Sequence, residues 1–350
     1  MKTVKFYALC CRNLKALKRH QQYVSADDLA IVINTLDEEF KSIAVQHCVD
    51  NNLEHYVTES DGTPSTGKNS VFDLFAESDY DYMVLIDGDD FVTPHGVWAY
   101  KQIANSEEAI DALALAYQYG IWPESGYDPS LSQLADMKEN LLNPYLGVKD
   151  KFDAASIPGY PSRCFLQTKK WWENSKSGNT IDKFDEFSEK FSDVHKRWAN
   201  LCFKYVSNWE THLRLVMFSK KAVINHRHNT DFVCGEDTLL YLDLKDAHVN
   251  GSLKLKHLFD RYPTYVYDCR VDGIIRQEKD KVNPETGLYQ PDYGWFHWLE
   301  KLADKYEEYE TLGKMHEREI DYVDLPIPEE YTPNVLNLVN YPGSPTVKFY

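Results

Sequence analysis

Tyr82-Met83-Val84-Leu85-Ile86-Asp87-Gly88-Asp89-Asp90 decides how this chain folds. An unbroken apolar run predicts a strand buried on both faces, and the acids after it mark where that strand meets solvent. The same signal occurs upstream. Val4 to Cys10 and Leu29-Ala30-Ile31-Val32-Ile33 are buried-strand runs, and Glu54 to Thr58 is a third short strand. Leu14 to Tyr23, Glu38 to Cys48 and Asn69 to Glu77 read as the intervening helices. Continuous apolar strands alternating with helices require a parallel sheet covered on both faces. The prediction is an open α/β nucleotide-binding sheet, in which ligands sit at the carboxyl ends of the strands.

Past residue 96 the pattern loosens. Ala112 to Gln118, Leu213 to Phe218, Ala222 to Ile224 and Tyr265-Val266-Tyr267 are strand candidates. Residues 120 to 165 are rich in Pro, Gly and Asn with no clear period. Phe184, Phe187, Phe191, Val194, Trp198, Leu201 and Tyr205 form one apolar stripe at helical spacing. Its first reading is a core or domain-packing helix, and its second is a homo-oligomer seam through residues 181–205. Thr238 to Leu244 begins a helix directly after Gly235-Glu236-Asp237, and residues 295 to 318 look helical. Pro326, Pro328, Pro333, Pro342 and Pro345 predict an extended tail with little regular structure.

The bulk numbers bound the function. The chain has 350 residues, enough for one large or two modest domains. Its net charge of −17 and lack of any long Lys/Arg run argue against nucleic acid and anionic membranes as partners. A phosphorylated ligand stays compatible, because a divalent metal can bridge two negative groups. Seven Cys without a CxxC pair or regular spacing predict reduced thiols and a cytoplasmic protein. The first residues lead straight into a strand rather than a signal-peptide stretch, and no apolar run is long enough to span a bilayer. Aromatic residues make up 14%, with 24 Tyr and 8 Trp, which suits both core packing and sugar stacking. Trp171-Trp172 and Trp295-Phe296-His297-Trp298 are candidates for either role, with core anchoring preferred.

Three constellations could carry chemistry. In Asp87-Gly88-Asp89-Asp90, three carboxylates in four residues repel one another unless something positive joins them. Such hard oxygen ligands suit Mg²⁺ or Mn²⁺, which can hold a diphosphate and neutralise the charge growing on it as a leaving group. Gly88 is expected to let the backbone approach the ligand, and Asp90 to be no more than a turn residue. Gly62 to Asn69 approaches a P-loop but ends in Asn69 where a hydroxyl should ligate Mg²⁺, and Pro64 removes a cradling amide. The NTPase reading is therefore disfavoured, while Lys68 near a helix start is a candidate contact to a diphosphate. Finally, Cys234-Gly235-Glu236-Asp237 opens a helix. Its carboxylates either cap that helix or supply a general base toward an acceptor hydroxyl. His226 and His228 lie just upstream and could shape that pocket.

Taken in order, the strand ending in Asn34-Thr35, the Gly67-Lys68-Asn69 helix start, the strand into Asp87-Gly88-Asp89-Asp90 and the later Gly235-Glu236-Asp237 resemble the GT-A glycosyltransferases. The closest resemblance is to family 2, the inverting enzymes that use nucleotide-sugar donors. It covers roughly residues 4 to 100 well and 210 to 270 more loosely. The resemblance implies a Rossmann-like, mixed, mainly parallel sheet flanked by helices, with a helical insertion and a C-terminal extension. On that reading residues 1–275 form the GT-A domain: donor half about 1–100, insertion about 120–208, acceptor half about 209–275. Residues 276–350 form the helical extension and Pro-containing tail.

By the same resemblance, Asp87 faces the nucleotide and shares the metal with Asp89. Asp237 is the catalytic base, and Glu236 beside it holds the acceptor. The nucleobase pocket draws on Leu9, Cys11, Arg12, Asn34, Asp37 and Asp61, although Asn34 stands where many relatives carry Asp. Asp268, in Tyr267-Asp268-Cys269-Arg270, stands where many relatives place a His metal ligand. The Q-x-x-R-W motif of processive synthases is absent after Asp237, which implies transfer of a single sugar. The implied activity is metal-dependent transfer from a nucleotide sugar, UDP-sugar being commonest in the family, to a glycan or other hydroxyl acceptor. A nucleotidyl- or phosphotransferase using the same acids, and a non-catalytic nucleotide-binding protein, are the alternatives.

Overall fold

The computed structural model describes residues 1–115, 119–121, 193–194, 197, 214–259, 264–268, 293–317 and 320–324. The predicted strands of the first ninety residues form in order. They are β1 (Val4–Cys10), β2 (Leu29–Asn34), β3 (Glu54–Thr58) and β4 (Tyr82–Asp87). β1 and β2 are buried along their whole length, as the unbroken apolar runs require. Alternate residues feed two cores. Phe6, Ile31 and Val84 point to one face of the sheet, and Tyr7, Val32 and Leu85 to the other.

Helices α1 (Leu14–Tyr23), α2 (Glu38–Asp50), α3 (Pro64–Glu77) and α4 (Pro94–Ala104) connect and extend these strands. Each begins at a side chain that accepts a backbone N–H of the first turn: Asn13, Asp37, Thr63 and Thr93 respectively. α3 and α4 also carry proline in the first turn, where its missing N–H costs nothing. α3 therefore starts at Pro64, earlier than the sequence predicts. The stretch resembling a P-loop is a helical turn, which removes that reading.

The later strands are β5 (Phe91–Val92), β6 (Ala112–Leu115), β7 (Tyr119–Ile121), β8 (Arg214–Ser219), β9 (Leu255–Phe259), β10 (Tyr265–Asp268) and β11 (Tyr322–Asp324). Eight strands form one sheet in the order β11-β9-β6-β8-β4-β1-β2-β3, and β5-β10-β7 form a second. In the large sheet β8 runs antiparallel to β4 and β6, and every other pairing is parallel. This is the expected α/β fold with a mixed, mainly parallel sheet flanked by helices. The chain leaves β1 toward β2 and β3, then returns to place β4 on the other side of β1. The carboxyl ends of β1 and β4 thus flank the point where strand order reverses, the usual ligand crevice of such sheets.

One local expectation fails. Ala222 to Ile224 belongs to a helix, α5 (Lys220–Asn225), whose start Ser219 caps and whose Ala222 and Val223 are buried. The β-branched pair there reads as strand in isolation, but the cap and the packing against α3 prevail. The tail also contributes a strand before its prolines begin, because β11 pairs in parallel with β9.

The chain divides into two compact units. One comprises Met1–Leu146, His212–Arg270 and Ile320–Tyr350 and carries every described strand. The other comprises Gly147–Thr211 and Val271–Glu319. In the second unit, the predicted late helix forms as α7 (Tyr293–Thr311). Trp298 on it is buried, with Lys301 Nζ 4.7 Å from its ring centroid, as a core anchor should be. Arg197 pairs there with Asp304 and Glu307. Trp171-Trp172 lies outside the described residues, as does most of the 181–205 stripe with its oligomer reading.

Candidate active site at the carboxyl end of β4

β4 lies beside β1 with Asp87 opposite Leu9, and the chain then turns tightly through Gly88. A Cβ on Gly88 would sit 2.3 Å from the Leu9 carbonyl oxygen, so only glycine fits. The glycine is required by the protein's own backbone, not by the ligand approach expected from sequence. Two side chains of α1 brace the turn from behind. Arg19 donates to the Asp89 carbonyl, and His20 Nε2 lies 3.3 Å from the Gly88 carbonyl. Burial and the Arg19 charge lower His20 to about 3, so its imidazole is neutral.

Asp90 is more than a turn residue. It is fully buried and accepts a 2.7 Å hydrogen bond from Tyr265 Oη, which in turn accepts the Asp87 N–H at 3.1 Å. Burial, with Asp89 and Asp87 nearby, pushes the Asp90 carboxyl well up. Tyr265 thus ties the acidic turn to β10. Sequence reading places Tyr265 on a strand but says nothing of this role, because the contact joins residues far apart in the chain.

The second group of acids arrives from α6 (Glu236–Val249), which starts after Gly235 in the left-handed region, at φ 85°. The N-terminal part of α3 holds the segment leading into it. Ser65 Oγ donates to the Phe232 carbonyl at 2.8 Å. The Asn69 amide clamps His228 at both backbone atoms, donating to its carbonyl and accepting its N–H, each at 2.9 Å. These bonds carry Glu236 and Asp237 to Lys68. The lysine is 2% exposed and donates to Glu236 Oε1 at 2.9 Å and to both Asp237 oxygens at 2.8 and 2.9 Å. It is also 3.6 Å from Asp87 Oδ2.

Arg214, at the start of β8, completes the network. Its Nη1 lies 2.6 Å from Asp87 Oδ2 and 3.0 Å from Asp237 Oδ2, and its guanidinium stands 5.2 Å from the Tyr265 ring centroid. No motif singles this residue out. The available signal was a lone Arg inside the apolar run Leu213 to Phe218, because a buried charge must find a partner.

The electrostatics follow from this arrangement. Burial alone would raise Asp237, but Lys68 and Arg214 overcome it and hold the carboxyl well below its usual range. Asp87 is lowered in the same way, against burial, by Arg214 and Lys68. Lys68 meets both oxygens of Asp237 but only one of Glu236. Burial, aided by Asp237 and opposed by Lys68, raises Glu236 to about 7. His228 is fully buried, its Nδ1 3.5 Å from Asp237 Oδ1, and neither ring nitrogen has a hydrogen-bond partner among the described residues. Burial lowers it to about 3, so it faces Asp237 as a neutral ring.

The remaining predicted residues lie around this centre with local duties. Asn34 Nδ2 donates to Thr58 Oγ1 and the Glu59 carbonyl, tying β2 to the end of β3. Asp37 is exposed and caps α2. Asp61 is exposed and accepts from the Thr63 N–H and the Thr63 and Thr66 hydroxyls ahead of α3. Leu9 is buried under Gly88, while Cys11 and Arg12 are exposed just past β1. Asp268 ends β10, and its side chain lies outside the described residues.

The donor set fits a divalent metal of the kind the resemblance implies. Asp87 Oδ1 is buried without a hydrogen-bond partner among the described residues, two positions before the partly exposed Asp89. Among the described residues no group of three or more His, Cys, Asp or Glu forms a complete cage. An ion held by these one or two carboxylates would take its remaining ligands from substrate phosphates and water.

The class defined by this fold and site is an α/β protein with an acidic strand end facing an acidic helix start across two buried cations. The chain is similar to S. aureus TarS. It is 9% identical to the crystal structure of TarS 1-349 in complex with UDP-GlcNAc, over 97% of this chain and 80% of that one, with a TM-score of 0.40. For the complex with UDP the values are 10% identity, 96% and 79% coverage, and a TM-score of 0.38. A longer TarS structure matches at 8% identity over 80% of this chain, with a TM-score of 0.39, and this chain spans 38% of its length. No protein-family model and no curated protein matches the sequence. Among the described residues no helix is long and apolar enough to cross a membrane.

Proposed function

We propose that this protein transfers a single sugar from a nucleotide-sugar donor, UDP-sugar in the first instance, to an acceptor hydroxyl with inversion. One observation carries the reading. Asp87, at the carboxyl end of β4, and the Glu236-Asp237 pair, at the start of α6, converge on Lys68 and Arg214 within 2.6–3.6 Å. A donor-side acid and an acceptor-side acid are thereby held in one partly open site, Asp87 24% and Asp237 27% exposed at the side chain.

Each residue then has a task. The nucleoside lies over the ends of β1 to β3, flanked by Leu9, Cys11, Arg12, Asn34, Asp37 and Asp61. Asp89 and the unpartnered oxygen of Asp87 would hold Mn²⁺ or Mg²⁺, with Asp268 as a further ligand; when bound, the ion neutralises charge developing on the leaving diphosphate. Asp87, Glu236 and Asp237 outnumber Lys68 and Arg214, which suits a donor arriving with its own cation. Asp237 is ionised at neutral pH and takes the proton of the attacking hydroxyl. As the acceptor oxygen bonds to the anomeric carbon, the carbon–oxygen bond to the diphosphate breaks on the opposite face. Glu236, raised to about 7 and so about half protonated near neutral pH, holds a second acceptor oxygen.

The test is incubation with Mn²⁺ and a panel of nucleotide sugars and NTPs, following nucleotide release with and without simple glycan acceptors. Slow hydrolysis of one nucleotide sugar is expected even without acceptor. Consumption of NTPs alone would instead assign a nucleotidyl- or phosphotransferase. Nucleotide binding without any turnover would assign a non-catalytic binding protein. Asp89→Asn should abolish the metal dependence of nucleotide binding; unchanged metal dependence removes Asp89 as a ligand.

A further inference from the structure

Arg214 does two things and leaves two groups unused. Its Nη1 bridges Asp87 and Asp237, yet Nε and Nη2 are buried and have no hydrogen-bond partner among the described residues. The residue is 5% exposed. A guanidinium is among the most demanding donors in a protein, with five N–H groups in a fixed fork. Buried donors are almost always satisfied, so orphaned ones in a charged side chain call for a specific acceptor. Nothing among the described residues of the neighbouring elements supplies it. The Tyr265 ring covers the guanidinium, and the Tyr265 hydroxyl is spent on Asp87 and Asp90. Lys68 is itself a cation, and the His228 ring makes no hydrogen bond among the described residues.

The two carboxylates that Arg214 bridges are the partly exposed members of the network. A fork-shaped donor beside the strand-end acid suits the oxygens of a phosphate, which guanidinium groups take in paired, charge-assisted bonds. We propose that Arg214 is a ligand of the donor diphosphate, its Nε–H and Nη2–H groups taking phosphate oxygen while Nη1 keeps Asp87 and Asp237 in place. This rests on the reading of the site as a nucleotide-sugar site and adds a phosphate ligand that does not depend on the metal.

The experiment compares Arg214→Lys with wild type by calorimetry, using UDP and uridine as probes in Mg²⁺. Lysine keeps the charge and one bridging nitrogen but loses the fork. Expected is a loss of UDP affinity of about tenfold or more with uridine affinity unchanged. An equal loss for both probes means that Arg214 only maintains the shape of the site, and the inference falls. Unchanged UDP affinity overturns it too, while leaving the nucleotide-sugar reading intact. If wild type binds no UDP, that reading itself fails. Should the variant not fold, wild-type protein with isotope-labelled arginine provides the second measurement. A buried Nε–H resonance should shift with UDP and not with uridine, and identical spectra with the two probes would sink the proposal.

Discussion

Asp87 and Asp237 share a single guanidinium nitrogen, Arg214 Nη1, at 2.6 and 3.0 Å. One acid ends a parallel strand and the other starts a helix in a distant part of the sequence. Two carboxylates brought so near each other would repel if left bare. The cations between them make the approach favourable, and the same cations set the chemistry of each acid.

Lys68 is the second of these cations, and Lys68→Met should be severely destabilising. It leaves Glu236 buried without its cation and Asp237 with Arg214 alone, and breaking a buried pair from one side costs about 3–5 kcal/mol. Urea unfolding should show a lower midpoint with an unchanged slope. A loss under about 1 kcal/mol would mean that the acids are satisfied by other groups.

Glu236→Gln should change the pH dependence of stability rather than its neutral value alone. Glu236 is raised by burial to about 7 from an ordinary 4.5, so its contribution is complete below the unfolded value and is lost as pH rises through 7. Wild type should therefore lose on the order of 1–3 kcal/mol between mildly acidic and mildly alkaline pH, and the glutamine variant should have a flatter profile. Asp237, held low, has the opposite sign, and its contribution is lost as pH falls below the ordinary carboxylate value. Melting temperatures across this range decide the matter; parallel profiles for the two proteins would refute the assignment to Glu236.

Asp237→Asn should bind donor with affinity near wild type and transfer sugar about 10²–10⁴-fold more slowly, the usual contribution of a positioned general base. Single-turnover transfer measured beside donor titration separates the two effects. Transfer at the wild-type rate removes Asp237 as the base.

Tyr265→Phe removes one hydroxyl that serves both Asp87 N–H and Asp90. Loss of a buried hydrogen-bonding group of this kind costs about 1–3 kcal/mol. The acidic turn should also loosen, so metal-dependent nucleotide binding should weaken more than metal-free binding. A variant with wild-type melting and metal dependence would show that Arg19, His20 and Gly88 suffice to hold the turn.

Much of the frame was legible because its signals are local. The apolar runs of β1, β2 and β4, and acids placed just past a buried strand, are each read within about ten residues. The same locality explains what was missed. Ala222-Val223-Ile224 has strand-like residues that a cap and packing make helical, and β11 is too short to signal itself before it finds β9.

The sequence by itself determined the acidic strand end, the acidic helix start and a lysine near them, because residue type and spacing define those. Only the tertiary structure decided what each charge faces. Lys68 turns to Glu236 and Asp237, Arg214 joins Asp87 to Asp237, and Asp90 is buried on Tyr265. The physical reason is that a buried charge is stabilised by whatever the topology brings within a few ångströms, and the crossovers that bring β4, β8, β10 and α6 together leave no local trace in the residues they join.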